Sequence, residues 1–208
     1  YDKPLLKFER ILETHLSVAP KGLISFVKSM PIWMKEKMFF KKILKDYLKS
    51  IGEINWKRTK LLFPEHHLSH SASAYYPSDF KDAAILTVDG VGEWATTSIS
   101  KGEGNQISIL KEINFPHSLG LLYSSFTSFL GFKVNSGEYK MMGLAPYGHE
   151  DSKQTQNFIK EIKSNLISIK VDGSFQLNLQ YFKFTYTDKM CNYKKWAELF
   201  GLEKRKVN

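Results

Sequence analysis

Three histidines fall within five residues in the run His66-His67-Leu68-Ser69-His70. On a helix, residues four apart are separated by about 40° around the axis, so His66 and His70 share a face. Two imidazoles on adjacent turns can chelate one metal ion. His67 and His70, three apart, meet the same requirement, and spacing leaves both pairs open. The zinc-protease pattern HExxH needs Glu at the second position, where this chain has His67, so the general base of such a protease is missing. A second cluster, Thr87-Val88-Asp89-Gly90-Val91-Gly92-Glu93, puts a carboxylate at the end of an apolar strand and before a glycine turn. Open α/β sheets gather ligands at such strand ends, and the glycines let main-chain N–H groups approach an anion. Two nitrogens and one hard oxygen suit iron, zinc or manganese, and three ligands leave the coordination shell open.

The third cluster runs from Asn135 to Gly148, NSGEYKMMGLAPYG. It is Gly-rich, sets the Glu138 carboxylate two residues from the Lys140 ammonium, and opens a short helix. Such a loop can hold an anionic or hydroxylated ligand.

Hydrophobic periodicity supplies the elements that must position these groups. Leu5, Phe8, Ile11, Leu12 and Leu16 form one stripe over 4–16, the pattern of an amphipathic helix. A second helix is expected over 22–30, stopping before Pro31, and a third over 33–50. Lys60 to Phe63 reads as a short strand and His66 to Tyr76 as a helix. Ala83 to Val88 is a buried strand. Strands at 95–101 and 106–113, joined by Gly102-Glu103-Gly104-Asn105, make a hairpin. Ser118 is the expected N-cap of a helix reaching Leu130, and Gly131 its stop. Glu138–Ala145 is a short helix, a longer one covers 152–165, Asp172-Gly173 turns a hairpin, and a last helix spans 192–200. The fold class is therefore α/β with a mixed sheet, preceded by a mainly helical segment over 1–60.

With 208 residues, 42% hydrophobic, the chain can bury a core. Its longest apolar runs fall far short of the length that spans a bilayer, which excludes a membrane helix. The single cysteine, Cys191, excludes an internal disulfide framework and a cysteine-built zinc site, and points to a reducing, cytoplasmic setting. The net charge of +9 invites a nucleic-acid partner, but it is unevenly spread. Residues 1–60 carry 14 Lys and Arg against 6 Asp and Glu, whereas residues 61–150 carry 5 against 9. The motif-bearing middle is acidic, which speaks against nucleic acid.

The stretches EHHLSHSASAYYPSDF, ILTVDGVGEWATT and FPHSLGLLYSSFTSFLGFKVNSGEYKMMGLAPYG, with the opening YDKPLLKFERILETHL, resemble the carbamoyltransferases of the NodU and CmcH kind. These are nodulation-factor and antibiotic O-carbamoyltransferases. The resemblance runs over nearly the whole chain. It implies an actin-like, ribonuclease-H-related domain, of which residues 61–208 form the metal- and ligand-binding part and 1–60 a helical segment. It selects His66, His70 and Asp89 as ligands of a divalent metal, iron in the family. Gly90, Gly92, Glu93, His117, Ser136, Gly137, Glu138, Lys140 and Gly143 are placed by it near carbamoyl-adenylate and acceptor. A C-terminal YrdC-like domain, absent from these residues, makes that adenylate from carbamoyl phosphate and ATP. The metal-bearing domain then passes the carbamoyl group to the hydroxyl of a sugar, antibiotic or polysaccharide. The start at Tyr1 and the charged tail at Glu203 to Lys206 agree with an inactive piece of such an enzyme. Two other readings remain, a relative that transfers threonylcarbamoyl to tRNA and a non-catalytic binding module; oligomerisation is open.

Overall fold

A computed structural model describes residues 4–206. The chain opens with helix α1 (Pro4–Val18) and helix α2 (Leu23–Ile32). Their facing stripes meet through aromatic rings, with His15 stacked on Phe26 at 4.5 Å. Phe8 lies 4.8 Å from Trp33. The expected stop before Pro31 does not occur. The chain keeps turning through Pro31 and passes into a π-helical turn, Trp33–Lys37. Such a wider turn is where a helix absorbs the misfit left by a missing proline N–H. Helix α3 (Phe40–Ile51) follows.

Helix α4 (His66–Tyr75) lies on an antiparallel meander of strands β1 (Asp82–Gly92), β2 (Ala95–Glu103) and β3 (Gln106–Asn114). The strand expected at Lys60 to Phe63 does not form, and the segment has no regular structure. It alternates half-buried Leu61, exposed Leu62 and half-buried Phe63, but pairs with no strand among the described residues. The hairpin between β2 and β3 forms as expected, with Glu103 opposite Gln106 and Gly104 at a left-handed φ of 59°. Side chains alternate across the sheet. Ile85, Thr87, Ser98 and Ser100 are buried, while Leu86, Val88 and Ile99 stand exposed. At the far end of α4, the Tyr75 hydroxyl donates to the Lys81 and Gly104 carbonyls. Gly102 makes room for that ring, since a Cβ there would lie 2.6 Å from a Tyr75 ring carbon.

Helix α5 (Leu119–Phe129) starts at its expected cap, where Ser118 Oγ accepts from the Leu121 N–H at 3.0 Å. It ends at Gly131 with φ 82°, where paired bonds from Gly131 N to Ser128 O and Phe132 N to Thr127 O close the helix. Helix α6 (Glu138–Leu144) and helix α7 (Lys153–Glu161) follow, then a hairpin of β4 (Ile167–Ile169) and β5 (Phe175–Leu177), then helix α8 (Tyr193–Phe200). The class is α/β, but the expected mixed sheet is corrected. Among the described residues every strand pair is antiparallel. A parallel neighbour requires a long crossover. The long connection after β3 leads to β4, which pairs with β5 across a tight turn instead.

Most of the apolar core lies behind α5. Phe129, Leu166, Ile167, Phe175, Leu177, Phe182, Cys191 and Trp196 form one buried cluster. Trp196 is fully buried, touches the rings of Phe126, Phe129, Phe182 and Phe200, and donates Nε1–H to the Tyr181 carbonyl at 3.0 Å. Burial pushes the Cys191 thiol up to about 12, so the one cysteine is a neutral core residue. None of the described helices is long and apolar enough to cross a membrane. Trp196→Ala should cost about 3–5 kcal/mol, read as a lower urea midpoint. An unchanged midpoint would show that this cluster does not carry the fold.

Candidate metal centre

Helix α4 and strand β1 bring the first two motifs together. Successive residues rotate by about 100° on a helix, so turning His67 toward the sheet carries His66 and His70 to its rim. His67 is buried and its Nδ1 lies 2.8 Å from Ser98 Oγ. His67 thus belongs to the helix–sheet contact, and the two histidines left at the rim beside Asp89 are His66 and His70. Burial, outweighing the nearby Asp89 carboxylate, holds the His67 imidazole below the usual histidine range, so it is neutral. Beside it Ser71 Oγ reaches Thr87 Oγ1 at 3.2 Å and Ser100 Oγ at 3.4 Å.

His66 Nε2 lies 2.7 Å from Asp89 Oδ2 and 3.0 Å from His70 Nε2, and His70 Nε2 lies 3.7 Å from the same oxygen. Proton sharing satisfies this triangle poorly. If His66 Nε2–H donates to Asp89, the same nitrogen has no lone pair left for a proton on His70 Nε2. One cation between the three atoms satisfies all of them. With metal–ligand bonds of about 2.1 Å, neighbouring ligand atoms lie about 3.0–3.4 Å apart, within the spread of the three distances. Two histidines and one carboxylate fit a divalent transition metal, iron included. The Asp89 and His66 side chains are about a third exposed and His70 about half, so solvent or substrate could reach further coordination positions.

The turn carrying Asp89 is braced from the chain that follows β3. Asp89 Oδ1 accepts from the Gly90 N–H at 2.6 Å. Ser118 Oγ, while capping α5, donates toward the Gly90 carbonyl at 2.7 Å, with the Asp89 carbonyl at 3.1 Å. Gly120 lets α5 come this close, since a Cβ there would lie 2.6 Å from the Asp89 carbonyl oxygen. Gly92 has a parallel role, since its Cβ would lie 2.5 Å from His66 Cδ2. Sequence reasoning found Ser118 as a cap but missed Gly120 and the second role of Ser118. The serine and glycine two residues apart were the available signal.

The remaining candidate residues occupy two other places. Glu93 is buried at a left-handed φ of 57°, and the Arg10 guanidinium of α1 donates to its carbonyl. His117, half-buried, accepts from the Leu177 N–H through Nδ1 at 3.1 Å. Partial burial holds its imidazole below the usual histidine range. Ser136, Gly137, Glu138, Lys140 and Gly143 lie on the flank of α5. Ser124, which meets Glu138, is six residues or about 9 Å along the chain axis from Ser118. Burial opposes ionisation of Glu138. Hydrogen bonds from Asn135 N at 2.9 Å, Ser124 Oγ at 2.8 Å and Gly137 N at 3.2 Å outweigh it and hold the carboxyl below the usual range. Glu138 thus ties the loop to α5, whereas Ser136, Lys140 and Gly143 are exposed.

The family model described as the carbamoyltransferase N-terminus matches residues 1–208. The chain is 53% identical over 206 residues to the uncharacterized protein sll1178 of Synechocystis, covering 99% of this chain and 32% of that protein. It is 42% identical over 90 residues to nodulation protein NolNO of Sinorhizobium fredii, covering 43% and 13%. It is also 39% identical over 116 residues to nodulation protein NolO of Bradyrhizobium diazoefficiens, covering 55% and 20%. The chain therefore spans about a third or less of the length of these relatives.

Gly120→Ala should lower stability by about 1–3 kcal/mol, because the Asp89 turn is backbone and cannot step aside; a melting temperature equal to the parent's would count against the brace. The His117 shift fixes a second expectation. Its folded value lies below the ordinary one, so the unfolded chain takes up the proton first. The contribution of His117 to stability is then constant above about pH 6.5 and is lost as the pH drops below it. His117→Asn, which keeps an acceptor and cannot titrate, should reduce the loss of urea midpoint between pH 7.5 and 5.5.

Proposed function

The chain belongs to the carbamoyltransferase family, as its N-terminal part, and from that premise we propose that it holds the metal-bearing, acceptor-facing half of an O-carbamoyltransferase. The observation that carries this reading is the convergence of His66 Nε2, His70 Nε2 and Asp89 Oδ2 at one half-open rim. We assign the segment to an actin-like, ribonuclease-H-related domain with 1–60 as its helical part. A separate C-terminal YrdC-like domain makes carbamoyl-adenylate from carbamoyl phosphate and ATP. The setting is the cytoplasm.

In the transfer, the acceptor oxygen bonds to the carbamoyl carbon while the bond from that carbon to the AMP phosphate oxygen breaks. AMP leaves with the electron pair, and the hydroxyl proton is released. A divalent cation held there, iron by family, would supply Lewis acidity toward the carbonyl or phosphate oxygens. His66, His70 and Asp89 would hold it. The chain's other contribution is position. Neutral His67 pins α4 to Ser98, which fixes where its neighbours point. The bond from Gly90 N aims the free oxygen of Asp89 at the histidines. Gly92 leaves room for the His66 ring, and Glu138 orders the loop that brings Ser136 and Lys140 to the flank of α5.

Elemental analysis of the purified chain tests the ligand set. Bound divalent metal should fall by about tenfold or more in both His70→Ala and Asp89→Ala; equal metal in all three proteins would sink the assignment. The division of labour has its own check. Given ATP and carbamoyl phosphate, the 208-residue chain alone should release no pyrophosphate, and release at a catalytic rate would show that adenylate synthesis lies within it.

A further inference from the structure

The strand that carries Asp89 leaves its ladder just where the carboxylate has to be held. Regular pairing of β1 with β2 ends at Val88 opposite Thr97 and resumes at Gly92 opposite Ala95. Asp89, Gly90 and Val91 fall in the gap of that register, so the ladder does not fix their peptide groups. Rotation of the group joining Asp89 to Gly90 would carry the carboxylate with it. We propose that Ser118 is a positioning residue for the Asp89 carboxylate: its hydroxyl, together with the bare face of Gly120, clamps that one peptide group. The proposal rests on the reading of His66, His70 and Asp89 as a metal site.

Three sets of contacts meet on this peptide unit. Its N–H, that of Gly90, donates to Asp89 Oδ1 at 2.6 Å. One carboxylate oxygen is thereby engaged, and the other, Oδ2, lies 2.7 Å from His66 Nε2. Its carbonyl, that of Asp89, lies 3.1 Å from Ser118 Oγ, and the following carbonyl, of Gly90, accepts from the same hydroxyl at 2.7 Å. Gly120 backs the group. A Cβ there would meet the Asp89 carbonyl oxygen at 2.6 Å, Gly90 N at 2.7 Å and the Asp89 carbonyl carbon at 2.8 Å. Turning the unit to release Oδ1 would give up the hydroxyl contact and press its atoms on α5.

Burial gives the Ser118 hydroxyl more to do than cap a helix. Ser118 is fully buried, and its oxygen accepts from the Leu121 N–H at 3.0 Å. The O–H that remains needs a partner, because a buried polar hydrogen without one is costly. It finds that partner 28 positions back in the chain, at Gly90. Ser152 shows what a cap alone looks like. It accepts from the Thr155 N–H at 3.1 Å and sends its own O–H to Thr155 Oγ1 at 2.9 Å, within the helix it caps.

Cobalt(II) titration of the 208-residue chain, followed by visible absorption, tests the proposal, because ligand-field bands report how the ligands are arranged. Ser118→Ala should raise the cobalt dissociation constant by about 10–100-fold and change the band pattern. Gly120→Ala pushes the same peptide group from the α5 side and should do likewise; circular dichroism shows which variant is folded, and either one decides. Ser152→Ala, a control at the cap of α7, should lower the urea midpoint and leave cobalt affinity and bands as in the parent. Parental affinity and bands in folded Ser118→Ala or Gly120→Ala would overturn the proposal. So would equal weakening in Ser152→Ala, the mark of a general loss of stability. A parent chain that binds no cobalt removes the metal reading and this proposal with it, whereas binding in the parent that the folded variants match removes this proposal alone.

Discussion

The approach of His66 Nε2 to 2.7 Å from Asp89 Oδ2 dictates how α4 may lie on the sheet. A helix that packed on β1 through large aliphatic side chains would stand too far off for an imidazole at its rim to reach a strand carboxylate. The interface is accordingly made of small groups. Gly92 carries no Cβ where His66 passes, and Ser71 meets Thr87 and Ser100 through hydroxyls. The larger polar rings there are His67, which bonds to Ser98, and Tyr75, which lies over Gly102. Each such bond contributes only about 0.5–1.5 kcal/mol net, less than the about 1.5–3 kcal/mol from burying a large apolar side chain. The close approach thus costs hydrophobic stabilisation at the site itself. The compensating apolar burial lies behind α5, around Trp196 and the β4–β5 hairpin.

Residue pattern made the local elements legible and left their mutual arrangement hidden. Ser118 read as a helix cap because the cap bond is local, reaching Leu121 three residues on. Its bond to Gly90 spans 28 positions, and the only local trace of it is Gly120 two residues on, which leaves room for the Asp89 turn. The HHLSH run gave a shared face for His66 and His70, but which face meets the sheet is decided by Ser98, far along the chain. The family resemblance favoured His66 and His70, and the packing of His67 leaves those two at the rim. Sheet direction failed for a similar cause. Strand periodicity shows a pleat but not the direction of a neighbour, and the meander is set by short turns at Gly92–Ala95 and Glu103–Gln106. At Pro31 the local rule itself gave way, because a π-helical turn absorbed the misfit.

The segment from Asp89 to Trp94 is where these constraints meet. Its first residue belongs to the candidate metal cluster, its Val91 and Trp94 line cavities beside α1, and its Glu93 is held at a positive φ. A non-glycine residue in that conformation costs about 1 kcal/mol or more and persists because neighbours fix it. The bond from Arg10 to the Glu93 carbonyl makes α1 one of those neighbours. On the other side, Ser118 and Gly120 clamp Asp89 and Gly90 against α5. Helix α1 is thus both a wall of those cavities and a support of the turn. Any shift of α1 that widens them must also pull on the main chain that aims the Asp89 carboxylate. The link between α1 and that turn is the Arg10 side chain, bonded to the Glu93 carbonyl.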